Sequence, residues 1–259
     1  MAIFEISVNN PNDKGFAMQC VVYELGRIEY SQCYQLQRYL QLKRINGDIP
    51  DVLLILEHPP TLTIGKTGRI ENVLVPVSRL KQEGISLIPS DRGGDATYHG
   101  PGQMVAYPIL SLHDRGRDIP RYVRNLEEVA IRTLKDFGII AARDDYHPGV
   151  WIGTAEIAAI GLSIKKWVTM HGLALNVAPE MAHYAFINPC GFKERKAASM
   201  ADVLGREIPI EGVISAFINH FSDIFDIAVT LGDHTELWRS YEENLPEMDQ
   251  MASARPGDA

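Results

Sequence analysis

The 259-residue chain has 25 Lys and Arg against 33 Asp and Glu, a formal charge of −8. That acidity argues against a general nucleic-acid binder, which needs a basic excess to neutralise phosphates. No run approaches the roughly 18–20 uninterrupted apolar residues of a membrane-spanning helix. At 46% hydrophobic residues the chain can bury a substantial core. Its N-terminus lacks the basic-then-apolar order of a secretory signal. The three cysteines (Cys20, Cys33 and Cys190) form no CxxC or Cys/His cluster. This usage fits a reducing cytoplasm and argues against a disulfide scaffold or a structural zinc site.

Residues 1–17 read as an irregular leader, rich in Asn around Pro11. From Gln19 to Leu25 alternating apolar residues suggest a partly buried strand, and 28–45 places Tyr30, Cys33, Leu36, Tyr39 and Leu40 at helical spacing. Asp51–Glu57 (DVLLILE) is an apolar run too short for a helix and reads as a buried strand stopped by Pro59 and Pro60. Segment 120–137 is a helix with Pro120 in its first turn and Gly138 beyond its end. Glycine-separated runs over 149–177 read as antiparallel strands, and 211–225 has a second apolar helical face. Strands and helices mix without a regular βαβ repeat. The expected class is therefore α+β, a mixed and largely antiparallel sheet flanked by helices. A single domain spans 18–245, and the polar stretch 246–259 reads as a disordered tail.

The densest unusual segment is RGGDATYHGPGQ, residues 92–103. Its four glycines and one proline contribute little core burial, but glycine lets backbone approach a ligand closely. Spacings of phosphate-binding loops are absent. The plain alternative is a surface loop with several turns; Arg92, Tyr98 and His99 favour a site, since loops of this chemistry commonly line one. Cys190 lies between Pro189 and Gly191, a bend that can present a small nucleophile. A free cysteine is more often an inert buried thiol, which is the reading for Cys20 and Cys33. His99 and His171 each precede a glycine and are candidate bases, although a lone histidine is more often structural, as His58 before two prolines is read. Lys165 and Lys166 fall in a strand-like run that would send one side chain to each face.

Taken together, LEHPPTLTIGK (56–66), RGGDATYHGPGQMVAYPIL (92–110), PGVWIG followed by EIAAIGLSIKKWVTMHGLALNV (148–177) and INPCG (187–191) resemble the lipoyl(octanoyl) transferase family of the lipoate–biotin ligase superfamily. The resemblance runs from about residue 20 to about 205. It implies transfer of an octanoyl or lipoyl group from acyl carrier protein to a lysine of lipoyl domains, in 2-oxoacid dehydrogenases and the glycine cleavage H protein, through an acyl-cysteine thioester. Cys190 falls on the family's nucleophile. Arg92, Gly93, Gly94, Asp95, Ala96, Thr97, Tyr98 and His99 fall on its first substrate-binding segment; Ala159, Ile160 and Gly161 fall on the second, and Gly172, Leu173 and Ala174 on the third. It implies no cofactor and no metal. Both partner proteins are typically acidic, so basic residues gathered on one face are expected, with Arg92, Arg117, Arg121, Arg124, Lys165 and Lys166 as candidates.

One position departs from the family. A lysine that lowers the thiol pKa usually precedes the IAAIG-type run, and Glu156 stands there. A carboxylate near sulfur disfavours the thiolate, whereas a cation favours it. Glu156 is thus a replacement general base, or Lys165, Lys166, His99 or His171 supplies the cation, or the chain is a catalytically weakened relative that binds acyl groups or lipoyl domains. An ATP-dependent lipoate-protein ligase is the alternative enzyme.

Overall fold

The computed structural model describes residues 18–188 and 196–253, with side chains described as far as residue 245. In chain order the elements are β1 (Gln19–Arg27), α1 (Tyr30–Asn46), β2 (Asp51–Glu57), β3 (Thr61–Ile64), α2 (Val77–Gln82), β4 (Ser86–Pro89), β5 (Ala96–His99) and β6 (Gln103–Ile109). They continue with α3 (Ile119–Asp136), β7 (Ala142–Arg143), β8 (Gly149–Ile152), β9 (Ala155–Lys165), β10 (Val168–Asn176) and β11 (Lys196–Ala197). The last are α4 (Met200–Leu204), α5 (Ile210–Phe225), β12 (Ala228–Leu231) and α6 (His234–Ser253).

Nine strands form the main sheet in the order β12-β1-β2-β6-β10-β9-β8-β7, with β11 paired to β9. The β12–β1–β2 edge is parallel, β11 is parallel to β9, and the other pairings are antiparallel. The central strands are buried on both faces, β2, β6 and β10 almost without interruption. That explains why DVLLILE shows no alternation: each face has its own core. One face packs α3 and α5 through Leu126, Ala130, Leu134, Val213, Phe217 and Phe221. The other packs α1 and α6 through Cys33, Leu36, Leu40, Leu237 and Tyr241. A second sheet, β4-β3-β5, carries a small core of its own around Leu62, Leu80 and Tyr98.

The expected helices and strands fall within a few residues of where they form. Asp118 caps α3 by accepting from the Arg121 amide, with Pro120 in the first turn. Three expectations need correction. The 92–103 segment is not one loop: Ala96–His99 is a strand, because its backbone pairs in register with β3. Lys165 and Lys166 do not alternate across a sheet. Lys165 ends β9, and Lys166 and Trp167 form a two-residue hairpin turn at φ 46° and 60° that leaves both lysines exposed. Helix α6 runs on to Ser253, so the stretch from 246 starts as helix; Glu, Met and Gln there are good helix formers. The 1–17 leader and residues 254–259 lie outside the described residues.

Asp51, only 3% exposed, ties the parallel edge to the rest. It receives Arg44 at 2.7 Å, Arg115 at 3.2 Å and the Ser111 amide at 2.9 Å. Removing it leaves two guanidiniums without their partner. We predict that Asp51→Ala lowers stability by about 3–5 kcal/mol, measured by denaturant unfolding. A loss below about 1 kcal/mol would show that water replaces the carboxylate there.

Candidate active site

A cavity of about 860 Å³, counting its opening to solvent, lies where the segment around Arg92 crosses β9 and β10. The crossing is backbone on backbone. The Gly93 amide donates to Leu162 O at 2.8 Å, directly over β9. Gly161 and Gly172 face each other in the β9–β10 register. A Cβ on Gly161 would lie 3.0 Å from Gly93 O and from the Arg92 side chain, and one on Gly172 would lie 2.2 Å from Ala106 O. Gly161 thus lets the glycine segment lie against β9, and Gly172 lets β10 pack against β6.

Ala159, Ile160, Gly161, Gly172, Leu173 and Ala174 form its apolar floor, and Gly94, Asp95, Ala96 and Thr97 its rim. Arg92 lines the cavity but is buried, and its donors point at protein. Nε reaches Thr63 Oγ1 at 3.1 Å, Nη2 reaches Thr63 O at 2.8 Å and Asp95 O at 2.7 Å, and Nη1 reaches Gly93 O at 3.0 Å. Arg92 thus braces the glycine segment and does not belong to an exposed basic docking face. Asp95 holds the rim by accepting from the Ala96 amide and from Asn72. Two residues of the first expected segment do not line the cavity. Gly93 sits over β9, and Tyr98 points into the small core, where its hydroxyl meets His183 Nδ1 at 2.9 Å.

Three buried histidines cluster beside the cavity, and two of them, His99 and His171, line it. His58 Nδ1 donates to Ile28 O at 2.7 Å, so Nε2 accepts from the Tyr107 hydroxyl at 2.9 Å. Burial lowers its pKa to about 4 despite the Ile28 bond. His99 Nδ1 meets Gln103 Oε1 at 2.8 Å, and burial followed by the neighbouring His58 and Arg92 holds its pKa well below the ordinary value. His171 Nε2 meets Asp91 Oδ1 at 2.6 Å, and burial lowers its pKa although Asp91 opposes the shift. Burial acts to raise the Asp91 carboxyl. Its bonds with His171 and Ser163 outweigh that and keep it below the ordinary carboxylate value. Neutral imidazoles do not supply the cation considered for His99 and His171. Lys165 and Lys166 do not supply it from the hairpin turn either.

His171 sits on an unexpected face of its strand. Its register partner Leu162 packs toward the α3–α5 core, and alternation would send His171 there. Its φ of 59° turns the ring the other way, onto Tyr34 of α1 with centroids 5.8 Å apart. A non-glycine residue at positive φ inside a strand is strained and persists only where its surroundings demand it.

Glu156 lines the part near the start of β9, with Pro148, Trp151, Lys196 and Ala197, and Tyr184 links this part to His99, its hydroxyl accepting from the Gln103 amide. Cys190 falls outside the described residues, but the chain on either side of it is fixed at this end. The Asn188 amide donates to Asn72 O at 2.8 Å, beside Asp95, and Lys196 pairs with Ala155. Cys20 and Cys33 are fully buried thiols whose pKa burial pushes up, as core cysteines. Tyr107 and Trp151 lay within recognised motifs without being singled out. Tyr184 and Lys196 carried no signal, since hydrogen bonds to Gln103 and Asn176 hold the first there and pairing with Ala155 the second. Among the described residues no group of His, Cys, Asp or Glu is arranged to hold a metal, and no helix is long and apolar enough to cross a membrane.

Residues 29–222 match the lipoyl protein ligase A/B catalytic domain, and the chain belongs to that family. Its relatives in that family include proteins named as octanoyltransferases. The chain is 41% identical over 221 residues to an octanoyltransferase of Desulforamulus reducens, covering 85% of this chain and 97% of the relative. It is 45% identical over 213 residues to an octanoyltransferase of Solibacter usitatus, covering 82% and 96%. The fold matches a bipartite lipoate protein ligase from Thermoplasma acidophilum, with TM-score 0.70, 20% identity and 89% and 92% coverage. It also matches a lipoate-protein ligase A bound with ATP, with TM-score 0.68, 20% identity and 89% and 94% coverage. This chain is accordingly an enzyme, an acyltransferase.

The buried neutral histidines set a pH dependence. For His58 the folded pKa of about 4 lies below the ordinary 6.5, so the unfolded state binds the extra proton between those values. Its contribution is fully present above pH 6.5 and is lost as pH falls toward 4, about 3 kcal/mol in all. We predict that unfolding free energy declines over this window and that His58→Gln flattens the decline. An unchanged slope in His58→Gln would contradict the assignment.

Proposed function

We propose that this chain transfers octanoyl or lipoyl groups to the lysine of lipoyl domains, with acyl carrier protein as donor and Cys190 as the acyl-carrying nucleophile. The observation behind it is the slot itself. It is apolar along Ala159, Ile160, Leu173 and Ala174, and backbone-lined beneath the glycine segment. Each methylene buried there contributes about 0.8 kcal/mol, enough to select a medium-length fatty chain over short acids. The thioester step needs a thiolate, and the acyl-enzyme then passes its acyl group to the incoming lysine amine with release of the thiol. The first step moves the acyl group from the carrier's sulfur to that of Cys190 with release of the carrier thiol, and the second moves it from sulfur to nitrogen, so the proposal requires neither nucleotide nor metal. The lipoyl acceptors would be those of 2-oxoacid dehydrogenases and the glycine cleavage H protein.

Glu156 lines the slot at the end where the chain around Cys190 is anchored. In this reading it takes the proton of the attacking group, a carboxylate serving as general base. Intact mass after incubation with octanoyl-acyl carrier protein should show one octanoyl adduct that Cys190→Ala abolishes, without ATP. No adduct on the wild-type chain would overturn the transferase reading, and ATP-dependent labelling would assign it to the ligases. Glu156→Lys should lower the pH midpoint of thiol alkylation by about one pH unit, from the sign of the charge change. An unchanged midpoint would remove Glu156 from the neighbourhood of the thiol.

A further inference from the structure

We propose that the acyl slot has a hydrogen-bond-accepting floor, formed by His99 Nε2 and His171 Nδ1, that admits acyl chains carrying an O–H or S–H donor toward their far end. The proposal rests on the transferase reading for the direction of the chain: the carbonyl lies beside Glu156 and the tail runs past His99 toward His171. Along β9, Glu156 and Leu162, the partner of His171, are six strand residues or roughly 20 Å apart, and His99 lies between, since its partner Gln103 also bonds Asn176 and Tyr184. That span accommodates an extended medium-length chain.

Tautomers follow from the partners. Gln103 Nε2 is the donor toward Tyr98 O and Asn176 Oδ1, which leaves Gln103 Oε1 as the acceptor facing His99. His99 therefore carries its proton on Nδ1 and presents a bare lone pair at Nε2. Asp91 is ionised, so His171 carries its proton on Nε2 and presents a bare lone pair at Nδ1. Both nitrogens are fully buried, and neither receives a hydrogen bond from any described residue. Both rings line the slot, in residues 4% and 1% exposed. An unsatisfied buried acceptor is destabilising, and two in one slot call for a donor. The backbone strain at His171 is an independent sign. Its φ of 59° takes the ring away from the apolar core that alternation assigns and sets it at the slot. A wholly apolar chain end needs no such turn, and leucine facing the core would be the unstrained solution.

The chemistry recognised is thus a fatty acyl group with a hydroxyl or thiol near its ω end, of which a reduced dithiol acyl chain is one source and an ω-hydroxy chain another. The test compares kcat/KM for transfer of octanoyl and 8-hydroxyoctanoyl from acyl carrier protein to a lipoyl domain, in the wild type and in His99→Phe, which keeps a ring beside Tyr30. The wild type should transfer both within about threefold, whereas an apolar pocket end, which has no partner for the hydroxyl, would disfavour the hydroxy chain by about tenfold or more. His99→Phe should shift the ratio toward octanoyl by about tenfold. A wild type that rejects the hydroxy chain, or a ratio unmoved in His99→Phe, overturns the floor. Absence of any octanoyl transfer would overturn the transferase reading instead. In that case the Kd ratio of free 8-hydroxyoctanoate to octanoate, measured by calorimetry on the same two proteins, decides the floor by the same criteria.

Discussion

Everything in the site depends on two backbones in contact. A glycine segment lies on a pair of adjacent strands closely enough for the Gly93 amide to bond Leu162 O, and the strands beneath it carry glycine at Gly161 and Gly172. A side chain at Gly161 would press on Gly93 and Arg92 and separate the two layers. Arg92 makes the contact permanent, because its guanidinium reaches back to Thr63 and to the carbonyls of its own segment. A charge that reads in sequence as a ligand-binding arginine is an internal brace. The cavity is therefore held open by geometry fixed before any substrate arrives, which is what an acyl site needs to hold a floppy chain in one orientation.

Polarity is divided along that slot. Its floor is apolar, one end has Glu156 and the anchored ends of the segment around Cys190, and His99 and His171 line the rest as neutral imidazoles. The histidines are kept uncharged by burial, so they impose direction and hydrogen-bonding character without placing net charge against a fatty chain. The main sheet makes this arrangement possible by having two full cores. Helices α3 and α5 stabilise one face, so that part of the other, beside α1, is free to carry polar and strained residues such as His171.

Much of the fold was legible because its elements obey local rules. DVLLILE is a strand wherever it is buried, and the Asp118–Pro120 start of α3 is written in three residues. The strand Ala96–His99 was hidden because the glycines around it dominate the composition, and its partner β3 is remote in sequence. Tyr184 and Lys196 reach the cavity only through long-range contacts, which no window of sequence reports. His171 was visible as a candidate base, but its turned backbone was not. Alternation gives the opposite face, and only the packed neighbours Tyr34 and Asp91 explain the exception.

The central claim is that the fatty chain lies between the glycine segment and the β9–β10 pair. The most direct measurement is photocrosslinking with an octanoyl donor that carries a diazirine within its chain, followed by peptide mapping. The account predicts labels confined to residues 92–99, 159–161 and 171–174. Labels gathered instead on the separate cavity lined by Arg115, Tyr122 and Phe225 would contradict it.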